Sequence, residues 1–185
     1  QRAPPAIGLP RGFFDADILG TSEQMSASSK KENVMTHQVY EQKLRIRFSH
    51  CDPAGIVYHP QYYLILNQLM EDFLLDVLGL GFIEIEKYHM GFPVVGIRTD
   101  FTAPGKVGDE CVARIWIDHL GKSSMRFAFT IHCGDELRLQ CVETSVCVRR
   151  GPDGQHFQKL PIPEEIRAKL LPYTAAPDEV LQLRA

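Results

Sequence analysis

The sequence lacks several features that would define a protein class. No apolar run approaches the roughly 18 to 20 residues that a membrane-spanning helix needs. No basic segment followed by an apolar one opens the chain, so a signal peptide is not predicted. The five cysteines are odd in number and form no C-x-x-C pair, which argues against a zinc site. We therefore expect a reduced, cytoplasmic protein with no metal and no membrane span, whose strand cysteines are small buried apolar residues.

The chain also has little net charge. The formal charge is −3 and the pI is about 6.2, which gives no bulk electrostatic reason to bind nucleic acid or an anionic membrane. Neither G-x-G-x-x-G nor G-x-x-x-x-G-K-[ST] follows a predicted strand, so a nucleotide-cofactor fold has no support. A length of 185 residues with 44% hydrophobic residues fits one globular domain.

The first 37 residues differ from the rest in composition. They are rich in Pro, Ser, Gln and Lys and show no periodic pattern, as in "QRAPPAIGLPRG" and "TSEQMSASSKKENV". Such composition is typical of a disordered or loosely attached segment. We therefore predict an N-terminal arm over residues 1–37, a folded domain over 38–173 and a C-terminal tail over 174–185.

Hydrophobic periodicity predicts the secondary structure of the domain. An alternating run at 39–48 predicts a half-buried strand, and a helical period from Gln61 predicts a long helix that ends at Gly79 or Gly81. A short helix is predicted over 82–90 and another over 161–171. Four more strands are predicted between turns rich in Gly, Pro and Asp, over 92–101, 110–120, 124–133 and 137–150.

This element order predicts the fold class. Successive strands joined by short turns favour a mostly antiparallel sheet, and one helix with a broad apolar face must lie on one side of it. We expect an α+β fold in which a sheet of about five strands wraps around one long helix.

The loop between the first strand and the helix, "SHCDPAGIVYHP", contains the most informative residues. An Asp before Pro and Gly commonly forms an Asx turn or caps a helix. However, Asp52 lies seven residues before His59-Pro60, where the helix begins, which is too far for an ordinary N-cap. Asp52 is therefore a candidate for chemistry as well as for turn formation. Cys51 is a weaker candidate nucleophile, because the neighbouring carboxylate opposes formation of a thiolate.

The order of elements, together with Cys51-Asp52-Pro53-Ala54-Gly55-Ile56-Val57 and the following Pro60 and Tyr62, resembles the hot-dog acyl-CoA thioesterases. The resemblance covers about residues 38 to 165 and is strongest to the 4-hydroxybenzoyl-CoA thioesterase family. It implies hydrolysis of an acyl-CoA, aromatic or short-chain, to a free acid and CoA. No cofactor is implied, because coenzyme A is part of the substrate.

The resemblance also implies roles for individual residues. Asp52 would attack the thioester carbonyl or activate water. The backbone N–H at His59 would stabilise the oxyanion, because the first N–H groups of a helix have no partner within it. The His59 side chain either assists proton transfer or is only a helix-start residue. Gly55 would let the loop approach the substrate, and Tyr58 and Tyr62 would form pocket wall or simple packing.

Coenzyme A brings phosphates, and basic residues in turns are candidates to bind them. The candidates are Lys122 and Ser123 in "GKSS" and Arg149 at the end of the last strand, although each could be ordinary exposed surface. By resemblance, Lys122 matches a CoA-contacting basic residue. Two further basic positions of the family align with His156 and Gln158, so the chain departs from the pattern there.

The resemblance places the active site at a subunit interface and implies a homodimer or homotetramer. Two other functions fit the same sequence. A hot-dog hydratase or dehydratase could use His50 with Asp52 to move a proton beside the carbonyl. A non-catalytic acyl-CoA-binding protein would bind the same esters without turnover.

Overall fold

The structure is a computed structural model that describes residues 36–79, 81, 83, 85, 89–151 and 156–183. Within these residues the chain forms two continuous α-helices and eight strands, with helical residues also at Ile83 and Ile85 and single 3-10 turns at Phe48–His50 and Leu171–Tyr173. The helices are α1 (His59–Leu78) and α2 (Glu164–Leu170). The strands are β1 (Tyr40–Arg45), β2 (Met90–Gly91), β3 (Val94–Phe101), β4 (Glu110–Leu120), β5 (Ser124–Cys133), β6 (Glu136–Val146), β7 (Val148–Arg150) and β8 (Phe157–Lys159).

The main sheet has five antiparallel strands in the order β1-β4-β5-β6-β3. Its helix-facing side packs on α1, and the two form one core that includes Phe73, Phe127 and Phe129. The ring of Phe73 meets the ring of Phe127 edge-on at 6.4 Å. This arrangement confirms the predicted α+β hot-dog architecture.

The long helix follows the predicted period. Its buried side chains recur three and four residues apart, as an amphipathic helix on a sheet requires. Pro60 lies in the first turn, where its missing N–H costs no hydrogen bond. Gly79 ends the helix with φ 68°, a left-handed conformation that favours glycine, so the predicted C-cap at Gly79 is confirmed.

The last predicted strand, 137–150, is two strands. β6 pairs with β5 and β3 in the main sheet, whereas β7 pairs with β2 and β8 in a small three-stranded sheet. The break falls at Cys147, whose N–H donates to Ser123 O at 2.8 Å. The short helix predicted over 82–90 lies mostly outside the described residues. Of those described, Ile83 and Ile85 are helical, the Ile85 N–H donates to Gly81 O at 3.1 Å, and Met90 belongs to β2.

Both ends of the described chain pack on the side of the sheet that faces away from α1. We call residues 36–39 and 174–183 the terminal clasp. Glu179 joins its halves: it accepts bonds from the Thr36 backbone N–H at 2.7 Å and the Thr36 hydroxyl at 2.9 Å, and its carboxylate lies 3.0 Å from His37 Nδ1. These bonds, led by the Thr36 N–H, hold the pKa of Glu179 down to about 2.

The clasp covers a second, smaller apolar cluster. Trp116, Ala128 and Ala175 form its centre, with Leu181 packed against it. The buried carboxylate of Asp118 accepts the Leu181 N–H at 2.7 Å and pairs with Arg126. Residues assigned above to the arm and to the tail therefore make contacts within the folded domain, while residues 1–35 lie outside the described part.

The expectation that the strand cysteines are free is wrong for one pair. Cys111 on β4 and Cys133 on β5 form a disulfide, with their Cα atoms 4.0 Å apart. The antiparallel register places the two residues opposite each other, which the separate strand predictions could not show. Cys141 and Cys147 are free and buried, as expected.

Among the helices of the described residues, none combines the length and the apolar character that crossing a membrane would require.

Candidate active site

Asp52 lies in a tight turn between two bridged residues. Cys51 and Val57 form an antiparallel bridge, so residues 52–56 make a small hairpin. Within it, Asp52 Oδ1 accepts the Ala54 N–H at 2.8 Å, and Gly55 adopts φ 76°, which favours glycine. Asp52 thus forms the Asx turn that its local sequence predicts, and its half-buried carboxylate remains at the surface of the loop.

The N-terminus of α1 begins next to this turn. The Tyr58 N–H donates to His50 O at 3.0 Å, which brings the helix start beside the residue that precedes Cys51-Asp52. Tyr58 occupies the N-cap position, and no side chain caps the helix there. Pro60 has no N–H and the Gln61 N–H donates to Tyr58 O at 2.8 Å, so the His59 N–H is the first-turn donor without a helical acceptor, at the positive end of the helix dipole. The exposed His59 ring meets Tyr58 at 5.3 Å and Phe101 at 6.4 Å.

Gly105 and Phe101 also belong to this region, and neither is among the site residues predicted from the sequence. Gly105 O accepts the Val57 N–H at 2.9 Å, which ties the turn to the loop after β3. A Cβ on Gly105 would lie 2.6 Å from Tyr62 Oη, so the loop approaches the helix closely only because this residue is glycine. The ring of buried Tyr62 lies 5.8 Å from that of Phe101. In the sequence, the Pro104-Gly105 pair was the only sign of this contact, and it predicted a turn.

The thiol of Cys51 is poorly suited to nucleophilic chemistry. Burial raises its pKa, and the carboxylates of Asp52 and Asp109 raise it further. Its Sγ points to Arg47 O at 3.6 Å. His50 Nδ1 accepts the Arg47 N–H at 3.1 Å, and burial, followed by the Arg47 charge, lowers the His50 pKa. Thiolate formation is disfavoured, and His50 is already engaged with the backbone.

The predicted phosphate-binding residues lie at the opposite end of the main sheet. Lys122 and Ser123 form the turn after β4, whereas Asp52 lies beside the loop that precedes β4. The eleven residues of β4 separate the two ends by about 35 Å. Arg149 on β7 lies near Lys122, because Ser123 O accepts the Cys147 N–H. One protomer therefore does not bring these residues to Asp52.

A cavity of about 470 Å³ lies at this second end of the molecule. It is flanked by the small sheet and lined mainly by apolar side chains, with His89 and Arg150 as its basic residues. The apolar lining includes Ile85, Met90, Phe92 and Phe157.

The β3 edge of the main sheet is open and apolar. The fractional exposure is 62% for Val95, 48% for Ile97 and 46% for Phe101. Ile97, Thr99 and Phe101 face the helix side of the sheet, and we call these three residues the β3 strip. The strip begins beside His59 and Tyr62 at Phe101 and runs away from the Asp52 turn.

Comparison with known families and proteins identifies relatives. Residues 46–170 match the Thioesterase-like superfamily. YneP of Bacillus subtilis (strain 168), provisionally named an acyl-CoA thioesterase, is 26% identical over 111 residues, which are 60% of this chain and 80% of that protein.

Solved structures share the fold. A gentisyl-coenzyme A thioesterase aligns with a TM-score of 0.59 and 27% identity, covering 70% of this chain and 99% of that one. A 4-hydroxybenzoyl-CoA thioesterase, solved as an Asp-to-Asn variant with 4-hydroxybenzoyl-CoA, aligns with a TM-score of 0.63 and 20% identity. That alignment covers 71% of this chain and 98% of the other.

Proposed function

The chain belongs to the thioesterase-like superfamily and is a hot-dog acyl-CoA thioesterase, and we propose that Asp52 carries its chemistry. One observation carries this proposal. The Asx turn holds the Asp52 carboxylate on the loop that leads into the uncapped N-terminus of α1, so an acid and the free His59 N–H lie close together in the chain. A thioester carbonyl bound there would meet both groups at once.

The proposed reaction uses these two groups in sequence. The Asp52 carboxylate attacks the carbonyl carbon, the C–S bond breaks, and CoA leaves as a thiolate that takes a proton from water. Water then hydrolyses the acyl-aspartyl anhydride and restores the carboxylate. In the alternative route, Asp52 removes a proton from water, and that water attacks. In both routes the His59 N–H stabilises the oxyanion, a contribution typically worth about 10²–10³ in rate.

We propose further that the complete site forms between two protomers. The open β3 edge, with its exposed apolar side chains, can pair with the β3 edge of a second copy about a two-fold axis. Antiparallel pairing would place the Val94 end of the partner beside the Phe101 end of the first protomer. The turn that contains Lys122 and Ser123 lies at the Val94 end of each protomer. The partner's turn would therefore approach Asp52 of the first protomer.

In this assembly Lys122, Ser123 and Arg149 would bind the phosphates of coenzyme A across the interface. All three lie at one end of the molecule, and the Lys122 and Arg149 side chains are exposed. The acyl group would lie on the β3 strip among Phe101, Tyr58 and Tyr62, which suits the aromatic or short-chain acyl groups expected from the sequence. The gentisyl and 4-hydroxybenzoyl substrates of the two structural relatives are aromatic.

The first experiment compares thiol release by the native protein and by Asp52→Asn across acyl-CoAs from acetyl to palmitoyl, with benzoyl and 4-hydroxybenzoyl included. We expect kcat to fall by about 10²–10⁴ in the variant, because the loss of a general base costs that much and Asn can act neither as the base nor as the carboxylate nucleophile. Undiminished turnover in Asp52→Asn would reject the role of Asp52. A changed double bond with the thioester intact would instead identify a hydratase, and binding without turnover would identify a sensor.

A further inference from the structure

The helix-facing side of β6 contains two polar residues next to the apolar core, one half-buried and one buried. Leu139 and Cys141 on this strand belong to the main core, whereas Val142 faces outward against the Trp116 cluster. The strict alternation of a strand therefore places Glu143 and Ser145 on the side that faces the helix.

Neither polar group has a partner among the described residues. Oε1 of Glu143 and Oγ of Ser145 are buried and make no hydrogen bond there. Glu143 lies opposite Phe127 on β5 and Ile97 on β3, so apolar side chains flank the carboxyl on both sides. Burial raises the pKa of Glu143. A buried polar group without a hydrogen bond is costly, so such groups are few in native proteins.

Glu143 lies beside the proposed path of the acyl group. Ile97, its neighbour on β3, is the far end of the β3 strip, and Phe101 at the near end contacts His59 and Tyr62. Four residues of strand separate Phe101 from Ile97, a distance of about 13 Å. A substrate with its carbonyl at the start of α1 and its acyl group along the strip would therefore end beside Glu143.

We propose that Glu143, with Ser145 beyond it, recognises a hydroxyl group at the far end of the acyl chain. The inference rests on the proposed function, and it replaces the aromatic or short-chain acyl group expected from the sequence with a longer hydroxyacyl group at the same site. Apolar pockets commonly contain a few polar groups that orient the ligand, and a hydroxyl can both donate to the Glu143 carboxylate and accept from the Ser145 hydroxyl. Substrates with a plain methyl end would leave both protein groups without a partner.

The geometry also gives an approximate length. An extended chain advances about 1.2 Å per bond, since a peptide residue of three bonds spans about 3.5 Å. The length of the strip therefore corresponds to an acyl chain of about ten atoms. A hydroxyl on a much shorter chain would not reach Glu143.

The test uses matched CoA esters of ω-hydroxy and unsubstituted acids with 6, 8, 10 and 12 carbons. We expect native kcat/KM to favour the hydroxy ester by about tenfold to a hundredfold near ten carbons, the range for a hydrogen bond to a charged group. Glu143→Leu should abolish this preference and Ser145→Ala should reduce it. Glu165→Gln, a change at an exposed glutamate on α2, should leave it intact. Equal kcat/KM within every pair, or a preference that persists in Glu143→Leu, overturns the inference.

Thermal unfolding separates recognition from a structural role. Removing a half-buried carboxyl whose buried Oε1 has no partner should raise the Tm of Glu143→Leu by about 2–4 °C. A Tm that falls by several degrees would show that Glu143 supports the fold and would overturn the inference.

Binding by calorimetry in the Asp52→Asn background separates this inference from the proposed function. If no ester releases thiol, the proposed function fails, and the Kd values for the hydroxydecanoyl and decanoyl esters decide about Glu143. A tenfold difference that Glu143→Leu removes supports recognition, and equal Kd values reject it.

Discussion

Gly105 shows how one residue without a side chain shapes the site. Its carbonyl holds the N–H of Val57, and its Cα lies against the hydroxyl of Tyr62 on α1. Three parts of the chain therefore meet at a point where no Cβ fits: the Asp52 turn, the first turns of the helix and the loop after β3. The position of Asp52 relative to the helix start depends on this close approach.

Replacing Gly105 by Ala should destabilise the protein by about 1–3 kcal/mol, the usual cost of overpacking. The added Cβ would lie 2.6 Å from Tyr62 Oη and 3.1 Å from Val57 Cγ2, so the loop or the tyrosine must move. Thiol release should fall in parallel, because the Asp52 turn moves with Val57.

Urea unfolding measures the loss of stability in Gly105→Ala. Gly91→Ala is the matched control, because its added Cβ would make only ordinary contacts at 3.9 Å. If the two variants unfold at the same midpoint, Gly105 does not restrict the loop as described.

At the scale of elements, the hairpin of β4 and β5 is the centre of the sheet. The disulfide between Cys111 and Cys133 joins the start of one strand to the end of the other, 22 residues apart in sequence. Leu44 on β1 lies opposite Cys111 on the other side, so the crosslink is within the sheet and not at its edge. It therefore constrains the strands that border the loop beside Asp52.

Reduction of this disulfide should lower the free energy of unfolding by about 3 kcal/mol, the chain-entropy value for a loop of this size. Urea unfolding with and without a phosphine reductant measures the change. A double variant, Cys111→Ala with Cys133→Ala, should unfold at the same urea concentration with or without reductant. If the native protein unfolds at the same urea concentration with and without the reductant, the proposed contribution of the disulfide is contradicted.

These elements also show what the sequence could predict. Local periodicity was sufficient to predict β4, β5 and α1. The "CDPAG" loop correctly indicated an Asx turn before a helix. The pairing of Cys111 with Cys133 and the approach of Gly105 to Tyr62 depend on register between distant segments, which no local pattern contains. The split at Cys147 was missed for the same reason, because Val148–Arg150 continues the apolar pattern but pairs with other strands.

At the scale of the whole molecule, the two halves of the proposed site lie at opposite ends of one sheet. Asp52 and His59 are at one end, and Lys122, Ser123 and Arg149 are at the other. A two-fold pairing of β3 edges would bring the Asp52 end of each protomer next to the Lys122 end of the other. Each dimer would then contain two sites, and each site would take its acid from one protomer and its phosphate-binding residues from the other.

Mixed dimers test this arrangement. Asp52→Asn and the double variant Lys122→Glu with Arg149→Glu should each be inactive alone. After the two are mixed and refolded together, half of the dimers are hybrid, and each hybrid has one complete site of two. About a quarter of native thiol release should therefore return.

Size-exclusion chromatography of each parent variant verifies that both still form dimers. If both parent variants form dimers and the refolded mixture still releases no thiol, the acid and the phosphate-binding residues do not act together across the interface.

The terminal clasp has a consequence for synthesis on the ribosome. Trp116 is the only tryptophan of the chain, and its cluster is completed by Ala175 and Leu181, which follow every strand of the main sheet in the sequence. The core around α1 can therefore assemble while this side of the sheet still faces solvent. Intrinsic fluorescence consequently reports closure of the terminal clasp over the sheet and is insensitive to whether the Asp52 turn has formed.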